Sequence, residues 1–218
     1  MTKKKDVFRH YNLADTVIGH IDKALNNIFV TQHTQREYPA DKAGEDTLTA
    51  KQKKQSAGLM RVNHAGEMAA QALYHGQALI ARDKTLKDKL QHASDEEVDH
   101  LNWCRTRLEE LGEQPSKLDP LWYAGSFAIG MAAGAVGDRW NLGFLAETEY
   151  QVVSHLEGHL QHLPEEDKRS RAIVEQMKID ELGHAHLAED LGAAKLPEVV
   201  KKGMQLTSKV MTGLSEKI

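Results

Sequence analysis

From Ala50 to Gly192 the chain is punctuated for long helices and for little else. Its helix breakers cluster at Gly112 to Pro120, at Pro164, and from Gly192 to Pro197, with a glycine pair at Gly134 and Gly137. No alternating β-branched run bounded by hairpin turns competes with the helical period. Long helices joined by short connections bury their apolar stripes by packing side by side, so an all-α fold with a four-helix bundle at its core is expected. The predicted core helices cover roughly residues 50–82, about 86–111, a third from just after Pro120 to 163 with a break at Gly134–Gly137, and a fourth opened by Pro164 and its acidic followers, ending near Gly192. An amphipathic segment over 15–31 places Val17, Ile18, Ile21, Leu25, Ile28 and Phe29 on one face, and a polar stretch over 32–48 reads as a linker. A last amphipathic piece spans 197–214. The chain thus divides into residues 1–50, helix and linker, and 51–218, the bundle domain.

Composition narrows the function. A net charge of −4 over 218 residues argues against a nucleic-acid partner, and the basic run Lys3-Lys4-Lys5 is too short to change that. A single cysteine, Cys104, allows no internal disulfide and suits a reducing compartment. The N-terminus carries no apolar signal-peptide core. Twelve histidines, several near acidic residues, make metal binding worth testing.

The sharpest signal is a carboxylate in the wrong place. Residues 59–79, LMRVNHAGEMAAQALYHGQAL, form an almost uncharged helix with Glu67 at its centre, sharing a face with Met60, Asn63, His64, Ala70, Gln71 and Tyr74. A buried lone carboxylate needs a positive partner. The second helix supplies Glu97-x-x-His100 and the fourth Glu181-x-x-His184, a spacing that puts carboxylate and imidazole on one face. One such motif arises by chance in a chain this rich in both residues; two, each in mid-helix, carry more weight. In the third helix Glu149 interrupts a stripe of Leu142, Leu145, Ala146, Val152, Val153 and Leu156, whereas Glu147 faces Gly143, Tyr150, Gln151 and Ser154. Each lone glutamate stands about 30 residues ahead of its motif, as in two copies of one helical hairpin.

One Glu from each of two helices and a Glu-x-x-His from each of the other two make the inward-facing ligand set of di-iron carboxylate bundles. Glu67, Glu97, His100, Glu149, Glu181 and His184 are therefore the expected metal ligands, with two Fe2+ ions per chain as the cofactor. Four carboxylates neutralise two divalent ions, mixed imidazole and carboxylate donors suit iron or manganese, and the absence of thiolate donors argues against structural zinc. His155 lies two turns past Glu149, slightly off its face, and is a second candidate beside the metals. Tyr74, Met177 and Cys104 read as core, and Glu149 has Arg139 as an alternative partner.

Residues 120–137, PLWYAGSFAIGMAAGAVG, contain no charge and barely reach spanning length. The Gly130-x-x-x-Gly134 spacing permits close helix contact. Three uses fit: core packing, an interface with a second copy (a homo-oligomer), or a surface resting on a membrane, with Leu121, Trp122, Phe127, Ile129 and Met131 exposed and Trp122 and Tyr123 at the headgroup boundary.

The stretches LMRVNHAGE, DEEVDHLNWC, PLWYAGSFAIG, LGFLAETEYQVVSHL and DELGHA resemble the bacterial demethoxyubiquinone hydroxylases, flavin-independent di-iron enzymes of ubiquinone biosynthesis. The resemblance covers roughly residues 55–218. It implies a ferritin-like fold, the same six iron ligands, a role for His155 near the metals, and peripheral attachment to the cytoplasmic face of the cell membrane. It further implies a mono-oxygenase that inserts one atom of dioxygen into the ring of a polyprenyl benzoquinol, drawing on an external electron donor. An iron store using the same ligands and a non-catalytic helical scaffold are the rival readings.

Overall fold

The computed structural model describes residues 36–44 and 47–218, together with Gly19, Asp22, Leu25, Asn26 and Val30. Its helices are α1 (Ala50–Ile80), α2 (Lys84–Glu110), α3 (Asp119–Val136), α4 (Asp138–His162), α5 (Lys168–Asp190) and α6 (Glu198–Ser215), and no strand occurs among the described residues. The all-α bundle holds. Hairpins α1/α2 and α4/α5 form its four core helices, and α3 crosses between them packed along α1. The long third helix is two, divided at Gly137, whose φ of 128° suits a residue without Cβ.

Local chemistry sets the ends. Thr49 and Gln52 form a capping box on α1, and the Asp83 side chain accepts from Leu86 N on α2. The α5 helix starts later than Pro164 suggests. Asp167 caps it by accepting from Ser170 N, and Arg107 of α2 ties that cap down through Asp167 (2.7 Å) and Ser170 Oγ (2.8 Å). Residues 164–167 are spent on the turn, because the cap with a buried partner wins over proline at the first helical position.

Two apolar clusters flank the middle of the bundle. One contains Met60, Trp103, Leu108, Leu156, Ile173 and Met177; the other contains Tyr74, Leu90, Leu142, Leu145 and Ala188. Each bundle helix passes from one cluster to the other, and its mid-helix glutamate lies between them in the chain.

The charge-free run resolves into two faces. Gly130 and Gly134 face α1, where a Cβ on Gly130 would overlap the Leu73 carbonyl oxygen and one on Gly134 would stand 3.0 Å from Ile80 Cβ. The Gly-x-x-x-Gly spacing therefore serves packing within the chain. Tyr123 is buried and hydrogen-bonded to His75 Nδ1 at 2.9 Å, which removes it from any headgroup boundary. Trp122, Phe127 and Met131 are half-buried, while Leu121, Ile129 and Val136 are exposed. No helix among the described residues is long and apolar enough to cross a membrane.

In the stretch expected to be a linker, Pro39–Lys42 form a short 3-10 helix against α5, and Ala40 is wholly buried. Of the predicted 15–31 helix, Gly19, Asp22, Leu25 and Asn26 are helical and Leu25 is exposed. Val17, Ile18, Ile21, Ile28 and Phe29, like Lys3-Lys4-Lys5, lie outside the described residues.

Candidate metal centre

Glu67, Glu97, His100, Glu149, Glu181 and His184, all buried, converge in the bundle. Both imidazoles turn Nδ1 towards the carboxylates. His100 Nδ1 lies 3.0 Å from Glu181 Oε1, 3.1 Å from Glu97 Oε2 and 3.4 Å from Glu67 Oε2. His184 Nδ1 lies 3.1 Å from Glu181 Oε2 and 3.6 Å from Glu97 Oε1. Two quartets result, each with ligand atoms within 4.8 Å of one another: Glu67, Glu97, His100 and Glu181, and Glu97, Glu149, Glu181 and His184. Glu97 and Glu181 belong to both, so two cations bound here would share two carboxylates.

The donor set fits such cations. Neither oxygen of Glu149 has a hydrogen-bond partner, nor does Glu97 Oε1. Orphaned buried acceptors are costly, and two imidazoles cannot balance four carboxylates. Burial, and next the Glu181 carboxylate, push the Glu97 and Glu149 carboxyls well above the usual range. For Glu181 burial acts upward too, but its bonds with His100 and His184 prevail and hold it below that range. Burial would lower His184; hydrogen bonds to Glu181 and Glu96 instead raise it to about 12. Hard oxygen donors with two imidazole nitrogens and no thiolate suit iron or manganese.

Two residues that the motifs did not single out orient the imidazoles. His100 Nε2 donates to Asp180 at 2.9 Å, and His184 Nε2 donates to Glu96 at 2.9 Å. Each acceptor immediately precedes the glutamate of the opposite motif, so each hairpin orients the other's histidine. That adjacency was the available signal. A ligating imidazole held through its other nitrogen has its tautomer and ring orientation set. Burial works to raise the Asp180 carboxyl, but bonds from His100 and Arg36 outweigh it and hold it at about 2.

The remaining candidates separate cleanly. Glu147 pairs with Lys201 of α6 at 2.9 Å and accepts from Gln151, away from the quartets. Arg139 donates to Gly192 O rather than to Glu149. His64 Nδ1 lies 3.0 Å from Asp119 at the start of α3. Tyr74 and Met177 are core, and the Cys104 thiol sits 3.8 Å from Met177 Sδ. His155 packs against His159 with the rings tilted by 58° and their centroids 4.0 Å apart, and its buried Nε2 has no hydrogen-bond partner. Burial lowers its pKa, against a smaller opposing pull from Glu67, so the ring is neutral near pH 7.

Glu67 and His155 also line a cavity of about 210 Å³ between α1, α3, α4 and α6. Val62, Ile129, Phe144, Met204 and Met211 supply apolar walls, and Asn63, Thr148 and Gln151 supply polar groups. An apolar chamber with a few polar groups beside a metal-binding cluster can hold a hydrophobic ring bearing hydroxyls.

Comparison with known proteins agrees with this chemistry. The family model described as ubiquinone biosynthesis protein COQ7 matches residues 54–215. The 3-demethoxyubiquinol 3-hydroxylase of Chromobacterium violaceum is 53% identical over 206 residues, which cover 94% of this chain and 100% of the relative. That of Dechloromonas aromatica is 52% identical over 201 residues, covering 92% and 97%. That of Legionella pneumophila strain Corby is 50% identical over 206 residues, covering 94% and 97%.

Proposed function

This chain belongs to the COQ7 family of ubiquinone biosynthesis proteins, and on that premise we propose that it is a 3-demethoxyubiquinol 3-hydroxylase. The substrate is a polyprenyl demethoxyubiquinol, the oxidant dioxygen, and the cofactor a pair of iron ions. Glu67 and His100 would hold one iron and Glu149 and His184 the other, with Glu97 and Glu181 within reach of both. The observation that carries this reading is the pair of overlapping quartets around orphaned buried carboxylate oxygens.

Bound Fe2+ would supply open coordination positions for dioxygen and two electrons, so that one oxygen atom goes to the ring and the other to water, and an external donor would return those two electrons. The protein's own contribution is placement. The cavity walls exclude water and seat the ring beside Glu67. His155, neutral and with Nε2 unpaired, offers a nitrogen that accepts from or donates to a ring hydroxyl. Glu96 and Asp180 keep both histidine Nδ1 atoms aimed at the carboxylates.

The cavity lies between helices that expose apolar side chains: Leu121, Ile129 and Val136 on α3, and Val199, Leu206, Val210 and Leu214 on α6. Such a surface beside the chamber supports peripheral attachment to the cytoplasmic face of the cell membrane, where a polyprenyl quinol resides. Iron counting after anaerobic reconstitution tests the proposal. About two irons per chain are expected, as in the ligand set of di-iron bundles; none would favour a scaffold, and a far larger load an iron store.

A further inference from the structure

Asp180 and Glu96 perform the same task for His100 and His184, yet their surroundings differ. The Glu96 side chain is 34% exposed, bonded to His184 and 3.8 Å from His92. Asp180 is 15% exposed and is gripped by a residue from outside the bundle. Arg36 donates Nη1 to Asp180 Oδ2 at 2.6 Å and Nη2 to Oδ1 at 3.1 Å, and Gln176 donates to Oδ1 at 2.9 Å. The same guanidinium lies over the Trp103 ring, 4.9 Å from its centroid, and Trp103 packs against His100 with centroids 5.2 Å apart. Arg36 therefore touches both groups that bound the His100 ring, the carboxylate at Nε2 and the indole at its side. Arg36 lies ahead of the 54–215 stretch matched by the family model.

We infer that Arg36 is a positioning residue for the Glu67–Glu97–His100–Glu181 quartet, clamping Asp180 and Trp103 so that His100 Nδ1 stays aimed at the metal. A forked guanidinium–carboxylate contact fixes both partners in plane, which an ammonium cannot do. The segment before α1 is held for this role. Arg169 donates to Ala40 O at 3.0 Å and lies over the Tyr38 ring, and Tyr38 packs on the core. Charge alone predicts the reverse effect, since deleting a cation beside a dication site strengthens binding. The sign of the change thus separates positioning from electrostatics.

The inference rests on the two-metal reading above, and the test keeps them apart. Purified apo protein is titrated anaerobically with Co2+, following visible absorption and heat. Wild type is expected to take two ions; if it takes none, the two-metal reading itself falls. Arg36→Ala should hold one ion as wild type does and the other about tenfold more weakly, a typical outer-ring loss. Arg36→Lys should recover only part of it, and apo melting temperatures should show that all variants fold; should Arg36→Ala not fold, the comparison of Arg36→Lys with wild type decides. In an Asp180→Asn background Arg36→Ala should cost less than it does alone, because the part of its effect that passes through Asp180 is already lost. Unchanged or tighter Co2+ binding in Arg36→Ala, or a full additive loss on top of Asp180→Asn, would overturn the inference.

Discussion

Replacing Gly130 with alanine should destabilise the protein, although the same change in an open helical position does the opposite. Glycine inside a helix costs about 1 kcal/mol relative to alanine, so Gly→Ala is ordinarily a gain. At Gly125, on the same helix, a Cβ meets nothing within 4 Å, and Gly125→Ala should raise the melting temperature by about 2–4 °C. At Gly130 the new methyl overlaps the Leu73 carbonyl oxygen and stands 3.0 Å from the carbon behind it. The obstacle is backbone, which no rotamer change removes, so α3 and α1 must part by on the order of 1 Å, an overpacking cost of about 1–3 kcal/mol or more. With that cost in the upper part of its range, because the obstacle is backbone, and propensity subtracted, a loss of about 1–2 kcal/mol and a fall of about 2–8 °C follow. Gly76 is the matching position on α1: its Cβ would overlap Phe127 O and lie 2.9 Å from Met131 N. Once either methyl has separated the helices, the second finds room, so Gly76→Ala with Gly130→Ala should cost less than the sum. Calorimetric melts of the apo proteins measure all four. A Gly130→Ala protein that melts at or above wild type refutes the close-approach reasoning, and strict additivity refutes the shared displacement.

Glu149→Gln should lose metal and turnover with the helical content kept, since burial of the apolar faces rather than metal holds the bundle; Glu147→Gln removes only the pair with Lys201 at the surface and should cost little stability and little activity. Iron analysis and circular dichroism separate the two, and equal losses would undo the choice between them. His159 is depressed to about 3, by burial first and then by His155 and His162. Because its unfolded pKa is higher, near 6.5, acidification between those values adds a proton to the unfolded chain alone, so this group lowers stability as pH falls below about 6.5 and has no effect above it. Urea midpoints from pH 7.5 to 4.5 should fall less in His159→Leu than in wild type, and parallel curves would refute this. A Leu121→Asp, Leu206→Asp variant should no longer co-sediment with neutral liposomes while keeping its iron. If it still pellets, α3 and α6 are not the lipid contact.

The six clustered side chains were legible because each announces itself within one helix: a carboxylate inside an apolar stripe, or a Glu-x-x-His in mid-helix. The stripe rule even separated Glu149 from Glu147. What could not be read is whatever depends on the register between helices. Asp180 and Glu96 were in plain view beside their motifs, but that they bond across to the opposite histidine follows from how two hairpins dock. Arg36 was hidden by its polar neighbours, which read as a linker although Tyr38 and Ala40 bury themselves on the bundle. The glycines of α3 were recognised as close-approach residues, while their partner α1 was not. The later start of α5 depends on Arg107 reaching Asp167 from another helix.

The crossed pairing of Asp180 with His100 and Glu96 with His184 makes the two hairpins hostages to each other. A hairpin standing alone has its own Glu-x-x-His, but the carboxylate that would aim that histidine belongs to its counterpart. Each quartet, too, draws on both hairpins, so neither half of a growing or partly melted chain presents a complete one, and a cation bound there would find its full set of donors only after the tertiary structure has closed. On the two-metal reading proposed above, loading would then act as a checkpoint on assembly, the strongest metal affinity arising only in the conformation that shields the bound ions.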